Sequence, residues 1–480
     1  MTLPHPLEAI LHPRSIAVTG ASDNPVTWGN GYVRYLVNFG FRGNIYPVNP
    51  KYSEIMGLKT YPSLLAIPGP VDYVISCIPA SDVIEMLEAC LQKGVRAVQM
   101  FTARFTETGR PEAAQLEQEI LKRARKLGIR LIGPNCMGVY YPRLGMSFGD
   151  ELPKESGATG LISQSGGGAA DIVRLCGQKG IRFSKAITYG NAIDFNECDY
   201  LDYFAQDTET KIILMYIEGV KDGRRFFETL RRITPTKPVI IAKGGRGNAG
   251  TRAASSHTAS LAGSRKIWEA VINQTGAISV ENFDEMADLA ALFYFLPPFC
   301  GTRVGIVGGG GGAGVLAADQ CEEAGLDVIP LPGEIREQLK SRGVAMWDWI
   351  GNPTDMSIRE NDKFGAGDML QLMAENQNFD LLIAMMGAPY RRGQPEISPR
   401  SHVEQYKLKG NNPKPLLAII ADRSHGIEDY DSPVAKLTAG VRTEVIAAGI
   451  PFYPTIGRAA RAARKVIDYY RKREQRSSSL

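Results

Sequence analysis

Short apolar runs rich in β-branched residues alternate with amphipathic stretches along the first 140 residues of the chain. The runs are typical of buried strands, and the stretches between them have helical spacing. The predicted strands are residues 15–19, 44–48, 71–77 and 97–101. The predicted helices are residues 31–39, 81–93 and 115–127. Ser81 is the predicted N-cap of the second helix. This alternation predicts a parallel, nucleotide-binding α/β domain over residues 1–140.

The same alternation returns twice further along the chain, and both later copies follow one α/β plan. A second domain is predicted at residues 155–297 and a third at residues 301–470. Their predicted strands are residues 159–162, 184–188, 211–217, 238–242, 303–307, 379–386, 415–421 and 449–453. Proline and glycine are frequent in residues 141–158, which predicts a linker between the first two domains.

Composition and charge exclude several classes of function. The 480 residues carry a net charge of only +4, which argues against a general nucleic-acid or membrane role. The seven cysteines are scattered without a CxxC pair or a Cys/His cluster, so no metal site is predicted and a cytoplasmic location is expected. No apolar run is long enough to span a bilayer. His402 and His425 lie in polar segments and are predicted to be exposed.

One histidine stands in a segment of small and polar residues. Residues 244–260 contain no bulky apolar side chain, so burial cannot order them and a mobile loop is predicted. Within this segment, His257 is flanked by hydroxyl-bearing and small side chains. A neutral imidazole is nucleophilic near pH 7 and suits a phosphoryl carrier on such a loop. The alternative is an exposed histidine without a chemical role.

The turn after the first strand favours coenzyme A over NAD as ligand. It lacks the GxGxxG pattern, because the glycines that follow Gly20 are Gly29 and Gly31. The second strand ends in Asn49-Pro50-Lys51 instead of the acidic residue that grips an NAD ribose. A lysine there would attract a phosphate such as the 3′-phosphate of CoA, although a surface lysine without a role is the alternative.

A second turn combines a strand end, serines, glycines and a helix start. Residues 163–168 read Ser-Gln-Ser-Gly-Gly-Gly, and such a turn presents free backbone N–H groups and the positive helix end to an anion. Glu218 follows a later strand of the same domain. Its carboxylate could accept a hydrogen bond from the imidazole of His257, or it could be a solvated strand-end carboxylate.

Residues 256–263, Ser-His-Thr-Ala-Ser-Leu-Ala-Gly, resemble the phosphohistidine loop of NDP-forming acyl-CoA synthetases, relatives of the succinyl-CoA synthetase α-subunit. The resemblance implies a Rossmann-like CoA-binding domain followed by two flavodoxin-like domains. It assigns phosphorylation to His257 and support of the imidazole to Glu218. The implied CoA-binding residues are Gly20, Ala21, Ser22, Asn49, Lys51, Ile78, Pro79 and Thr102. The implied residues for phosphate and the acyl group are Asn135, Cys136, Ser163, Gln164, Ser165, Gly166 and Gly167.

The implied activity is that of the α-subunit of an ADP-forming acyl-CoA synthetase, which converts acid, CoA and ATP to acyl-CoA, ADP and phosphate. No stretch resembles an ATP-grasp domain or a GxxxxGK[ST] loop. ATP or ADP with Mg²⁺ is therefore expected on a separate ATP-grasp β-subunit in a hetero-oligomer. The substrate is expected to be a small carboxylic acid or its acyl-CoA, and the sequence does not specify which.

Two positions depart from the family pattern. Ala259 follows His-Thr where the family has glycine, and Arg104 replaces a glycine in Thr102-Ala103-Arg104-Phe105, beside the predicted CoA cleft. These departures support an alternative in which the chain is a CoA or acyl-CoA sensor without catalysis.

Overall fold

The computed structural model describes residues 5–247, 249–250, 252, 264–356, 364–387, 397–410, 414–421 and 431–477. The chain divides into two compact units, Met1–Met286 with two large sheets and Ala287–Leu480 with one. The predicted α/β class with parallel strands is confirmed. The domain boundaries 1–140, 155–297 and 301–470 stay predictions.

Five parallel strands form the first sheet, in the order β2-β1-β5-β6-β7. These strands and a small antiparallel hairpin, β3–β4, are β1 Ser15–Thr19, β2 Asn44–Val48, β3 Glu54–Ile55, β4 Leu58–Lys59, β5 Tyr73–Ser76, β6 Ala97–Met100 and β7 Arg130–Ile132. The helices of this region are Pro6–Leu11, Trp28–Asn38, Val83–Gln92 and Pro111–Leu127. The residues of β1, β5 and β6 are all buried, as expected for the middle of a parallel sheet.

The prediction that Ser81 is an N-cap is wrong. The helix begins at Val83, after a 3-10 turn at Ala80–Asp82. The Ser81 hydroxyl donates to the adjacent Asp82 carboxylate at 2.7 Å instead of accepting from the first helical turn. The sequence pattern therefore placed the start of this helix two residues early.

The second sheet has six strands in the order β13-β12-β11-β9-β10-β8. They are β8 Val139–Tyr140, β9 Ser156–Ser163, β10 Phe183–Thr188, β11 Ile212–Ile217, β12 Val239–Lys243 and β13 Ile278–Val280. All pairs are parallel except β8 with β10. The helices that follow the strands are Gly166–Gln178, Glu197–Gln206, Gly223–Ile233, Arg265–Thr275 and Phe283–Phe295.

Residues 141–158, predicted to be a linker, form a packed connection. Tyr141, Met146, Phe148 and Leu152 are all buried. The prolines and glycines make the turns, and the large apolar side chains between them are removed from water. The prolines and glycines on which the linker prediction was based did not indicate that this connection is packed, because the prediction took no account of these apolar positions.

The second unit contains a five-stranded parallel sheet in the order β15-β14-β16-β17-β18. Its strands are β14 Arg303–Gly308, β15 Asp327–Val328, β16 Leu381–Met385, β17 Leu416–Ile419 and β18 Phe452–Tyr453. Its helices are Gly311–Glu323, Gly333–Ser341, Ala366–Glu375, Pro399–Glu404, Pro433–Ala447 and Ile456–Ser477. No helix in the described ranges has both the length and the apolar content needed to cross a membrane.

His402 is buried, so the prediction of an exposed ring is wrong. The helix Pro399–Glu404 is capped by Ser398, and it turns His402 and Val403 inward. The ring nitrogen Nε2 lies 3.1 Å from the carbonyl oxygen of Gly387, and burial lowers the pKa of His402. The neighbouring residues in the sequence are polar, so the sequence pattern did not indicate that one face of this helix is buried. His425 lies outside the described residues.

The parallel strands of all three sheets follow one order. Numbered along the chain within each sheet, and leaving aside β8, they run 2-1-3-4-5. In such sheets the winding reverses between strands 1 and 3, and ligands bind outside the carboxyl ends of the strands at that point. The first crevice therefore lies beyond β1 and β5, and the second beyond β9 and β11.

Candidate functional site

The turn at the end of β1 is packed tightly against the end of β5. Gly20 has φ +78°, and a Cβ there would lie 2.6 Å from the carbonyl oxygen of Cys77. Both the backbone conformation and the close approach therefore require glycine. The Asn49 side chain donates to the carbonyl of Ala21 at 2.7 Å, which ties the end of β2 to the same turn. Gly20, Ala21 and Asn49 thus shape this edge of the sheet.

A cleft of about 590 Å³ opens at this edge. It collects predicted residues of both kinds, those for CoA and those for phosphate or the acyl group. These are Ile78, Pro79, Thr102, Asn135, Cys136, Gln164, Ser165, Gly166 and Gly167. Its other lining residues include Ala80, Ala103 and Arg104, which flank the predicted CoA residues in the sequence. The lining residues Cys77, Phe101 and Met137 were not predicted. The two predicted sites are therefore walls of one cavity.

Several predicted site residues do not line this cleft. Gly20, Ala21, Ser22 and Asn49 lie in the turns beside it, and Lys51 is exposed. The Lys51 backbone N–H donates to Asn49 Oδ1 at 2.9 Å, which closes a turn after β2. Contact between the Lys51 ammonium group and the 3′-phosphate of CoA stays a prediction.

The wall predicted to bind phosphate is the start of the helix Gly166–Gln178. Ser165 is its N-cap, and the Ser165 hydroxyl accepts the Gly168 N–H at 3.1 Å. A Cβ added at Gly167 would meet no atom within 4 Å, so the backbone there faces open space. Positive helix ends and first-turn N–H groups favour anions. Ser163 is buried below the turn, where its hydroxyl donates to the Ser165 carbonyl at 2.6 Å, and its direct contact with phosphate stays a prediction.

Gln164 joins this turn to the end of β11. Its side-chain oxygen accepts the backbone N–H groups of Glu218 at 2.7 Å and Gly219 at 3.2 Å. Glu218 is only 5 % exposed, so the alternative of a solvated carboxylate does not apply. The Tyr216 hydroxyl donates to Glu218 Oε1 at 3.1 Å. Burial, followed by the charge of Glu218, raises the pKa of Tyr216, which keeps the phenol a donor.

Tyr216 and Lys243 are functional candidates that the sequence analysis missed. Tyr216 lies two residues before Glu218, a spacing that puts two side chains on one face of a strand. From this two-residue spacing, Tyr216 could have been identified in the sequence as a neighbour of Glu218. The Lys243 ammonium donates to the carbonyl oxygens of Glu218 and Gly244, and burial lowers the pKa of Lys243.

A second cavity, of about 480 Å³, lies where the chain leaves β12. Tyr216 and Lys243 are in its wall, together with Phe283 and residues 244–247. Tyr216, whose hydroxyl donates to Glu218, therefore lines a cavity at the start of the segment that carries His257. His257 and Ala259 themselves lie outside the described residues.

Cys136 lines the cleft, but its thiol is a poor nucleophile. Its thiol donates to the carbonyl oxygens of Ile132 at 3.5 Å and Met100 at 3.6 Å. Burial raises the pKa of Cys136 to about 12, so the nucleophilic thiolate is scarce at neutral pH. Cys136 therefore fits a packing role in the wall of the cleft, and its place beside the acyl group stays a prediction.

The two parts of this site match two families of known domains. The family described as "CoA binding domain" matches residues 14–142, and the one described as "Succinyl-CoA ligase like flavodoxin domain" matches residues 156–293. Fold and cleft together define an α/β protein of the CoA-dependent ligase class. The predicted Rossmann-like and flavodoxin-like organisation is confirmed.

Relatives are similar over most of the chain. The α subunit of acetate–CoA ligase (ADP-forming) II from Pyrococcus furiosus is 39% identical over 443 residues, which is 89% of this chain and 95% of the relative. The α subunit of ligase I from the same organism is 36% identical, over 95% of this chain and 96% of the relative. The chain belongs to the family of ADP-forming acyl-CoA synthetases, which are acid–thiol ligases, and is of the α-subunit type.

A solved structure agrees with this assignment. Dinucleotide-forming acetyl-coenzyme A synthetase 1 from Candidatus Korarchaeum cryptofilum, in complex with phosphate and ADP, matches with a TM-score of 0.80 and 28% identity, over 99% of both chains.

Proposed function

We propose that the chain converts a small carboxylic acid and CoA to acyl-CoA through an acyl phosphate and a phosphohistidine at His257. The observation that supports this most directly is the single cleft. It joins residues predicted for CoA, such as Ile78 and Thr102, to residues predicted for phosphate, such as Ser165 and Gly167. Two groups that react with one another need such a shared cavity.

In the direction that consumes acyl-CoA, phosphate attacks the thioester carbon near Gly166 and Gly167. The carbon–sulfur bond breaks, and CoA leaves as a thiolate that takes up a proton. The helix start stabilises the charge of phosphate and of the developing acyl phosphate. A nitrogen of His257 then attacks the phosphorus, the bond to the acyl oxygen breaks, and the free carboxylate leaves. Each step is reversible.

Glu218 supports the imidazole in this scheme. A carboxylate that accepts the second ring N–H fixes the attacking tautomer and stabilises the cation formed on phosphorylation. The burial of Glu218 and its hydrogen bond from Tyr216 agree with this role, because they hold the carboxylate in one orientation. The sensor without catalysis is disfavoured by the similarity to active ligases.

The nucleotide is expected to bind elsewhere. The Pyrococcus relatives are named as α subunits of ADP-forming ligases, and the Korarchaeum enzyme was solved with phosphate and ADP. We therefore place ADP or ATP with Mg²⁺ on an ATP-grasp β-subunit, in a hetero-oligomer that works in the cytoplasm. The relatives' names make acetate the first acid to test.

The test is direct detection of the phosphorylated residue. The chain is incubated with acetyl-CoA and phosphate, and peptides are analysed by mass spectrometry under alkaline conditions, because phosphohistidine is acid-labile. We expect one phosphate on His257, a complete loss of the signal in His257→Ala, and a large decrease in Glu218→Gln. Phosphate that persists in His257→Ala would contradict the proposal.

A further inference from the structure

Arg104 occupies an unusual position on the wall of the cleft. It lies in the turn after β6, is exposed, and has φ +79°, a backbone conformation that favours glycine. Among the described residues that line the cleft, Arg104 is the one with a charged side chain. A charge at a strained position in a binding cleft points to a role in binding.

Hydrogen bonds to carboxylate groups fix the conformation of this turn. The Arg104 backbone N–H donates to Glu107 Oε1 at 2.5 Å. The other oxygen of Glu107 accepts from the Asn191 amide at 2.7 Å, and the same amide donates to the buried Glu117 at 2.8 Å. Asn191 belongs to the turn after β10, so the Arg104 turn is anchored to the region of the second sheet.

These carboxylates bind the backbone of the turn and leave the Arg104 side chain to the cleft. Glu107 accepts the main-chain N–H of Arg104, and none of the ion pairs among the described residues involves the Arg104 guanidinium. Arginine binds phosphate and carboxylate groups through paired N–H donors in a planar fork. The helix start at Gly166, on the other wall, favours the same sign of ligand charge.

We propose that Arg104 binds an oxyanion of the ligand in the cleft and thereby sets ligand preference. The experiment distinguishes two sources of the oxyanion, a phosphate group of CoA and a second carboxylate on the acyl group. The inference rests on the proposed function, because it takes CoA or acyl-CoA as the occupant of the cleft.

The experiment measures dissociation constants by calorimetry for the full chain. The ligands are CoA, pantetheine without phosphates, acetyl-CoA and succinyl-CoA, whose acyl group carries a carboxylate. Arg104→Gln removes the charge and keeps the strained side chain, Arg104→Gly removes both charge and strain, and Arg104→Lys keeps the charge. Arg110→Gln is the matched control, because Arg110 is an exposed arginine of the same loop that does not line the cleft.

We expect both uncharged variants to lose about tenfold or more in affinity, Arg104→Lys to lose less, and Arg110→Gln to bind as the wild type does. If CoA and acetyl-CoA weaken equally while pantetheine does not, a phosphate group of CoA is the partner. If succinyl-CoA weakens much more than acetyl-CoA, the partner is the acyl carboxylate.

Unchanged affinity for every ligand in Arg104→Gly and Arg104→Gln would overturn the inference and leave the proposed function standing. A loss in Arg104→Gln alone would also overturn it, because strain would then be the cause. Failure of the wild-type chain to bind CoA or acyl-CoA would contradict the proposed function itself, and the inference with it.

Discussion

At the scale of single residues, Glu218 is held in place by groups from two strands. The hydroxyl of Tyr216 reaches its carboxylate, and Gln164 accepts its backbone N–H. A buried carboxylate is costly unless hydrogen bonds replace lost water. The hydrogen bond from Tyr216 therefore offsets part of the cost of burying this side chain, which is 5 % exposed, while Gln164 fixes the backbone beside it.

Removal of the Tyr216 hydroxyl tests this arrangement. Tyr216→Phe leaves the ring in place and deprives a buried carboxylate of one donor, so we expect a loss of about 1.5–3 kcal/mol in the free energy of unfolding. Phosphorylation of His257 should slow by about tenfold, because an orienting partner is lost. Denaturant unfolding and the rate of phosphohistidine formation measure the two effects.

Tyr189 provides the control. Its hydroxyl is buried and has no hydrogen-bond partner within the described part of the chain. Tyr189→Phe should therefore leave both the stability and the phosphorylation rate near those of the wild type. A Tyr216→Phe variant that behaves like this control would mean that the phenol does not support Glu218.

At the scale of elements, the helix Gly166–Gln178 has a structural and a chemical role at its first turn. Ser165 caps it with a hydroxyl that accepts the Gly168 N–H. Gly166 and Gly167, the first helical residues, line the cleft. The same turn thus ends a buried strand, begins a helix and presents backbone to the ligand.

The variant Ser165→Ala tests the helix-capping role of this turn separately from its role in binding the ligand. Loss of an N-cap side chain costs about 1 kcal/mol, and we expect that decrease in the free energy of unfolding. Asp222→Ala is the matched control, because Asp222 caps the helix Gly223–Ile233 by accepting the Arg225 N–H and does not line the cleft.

Both variants should lose similar stability, while only Ser165→Ala should slow phosphorylation by acetyl-CoA and phosphate. Unfolding curves and the phosphorylation rate give the comparison. Equal phosphorylation rates in the two variants would contradict a role for this turn in binding phosphate.

The sequence predicted the long elements well, since buried parallel strands are continuous apolar runs and amphipathic helices have a clear period. It failed where an element is too short to have a period or where burial contradicts local polarity. Strand β8, two residues long, and the buried ring of His402 are examples. The cleft residues Cys77, Phe101 and Met137 were missed because only the folded chain brings the ends of separate strands together.

At the scale of the whole molecule, three sheets share one strand order but offer different crevices. The crevice of the first sheet opens into the cleft. At the crevice of the second sheet, Gln164 accepts the backbone N–H of Glu218. In the third, a Cβ at Gly308 would lie 2.4 Å from the carbonyl oxygen of Met385. Close packing of β14 on β16 explains that glycine.

The purified chain is therefore expected to bind CoA without turning over ATP or ADP. Transfer to a nucleotide needs a phosphate cradle and Mg²⁺ ligands, and the sequence has no P-loop. Phosphohistidine formed from acetyl-CoA and phosphate should persist on addition of ADP and decay only when an ATP-grasp subunit is also present. Luminescent detection of ATP gives the readout. Rapid ATP formation by the highly purified single chain would reveal a nucleotide site in it.

The contacts of Gln164 have a consequence for the evolution of such chains. Gln164 accepts two main-chain N–H groups from a segment 54 residues away, and any residue at position 218 would supply the same donor except proline. Part of the selective pressure on Gln164 is thus structural, whereas the pressure on the side chains of Glu218 and His257 would come from the proposed reaction. In lineages that have lost this reaction, we expect Glu218 and His257 to drift while the structural demand retains Gln164. The state of these three positions then distinguishes an enzyme from its inactive descendant.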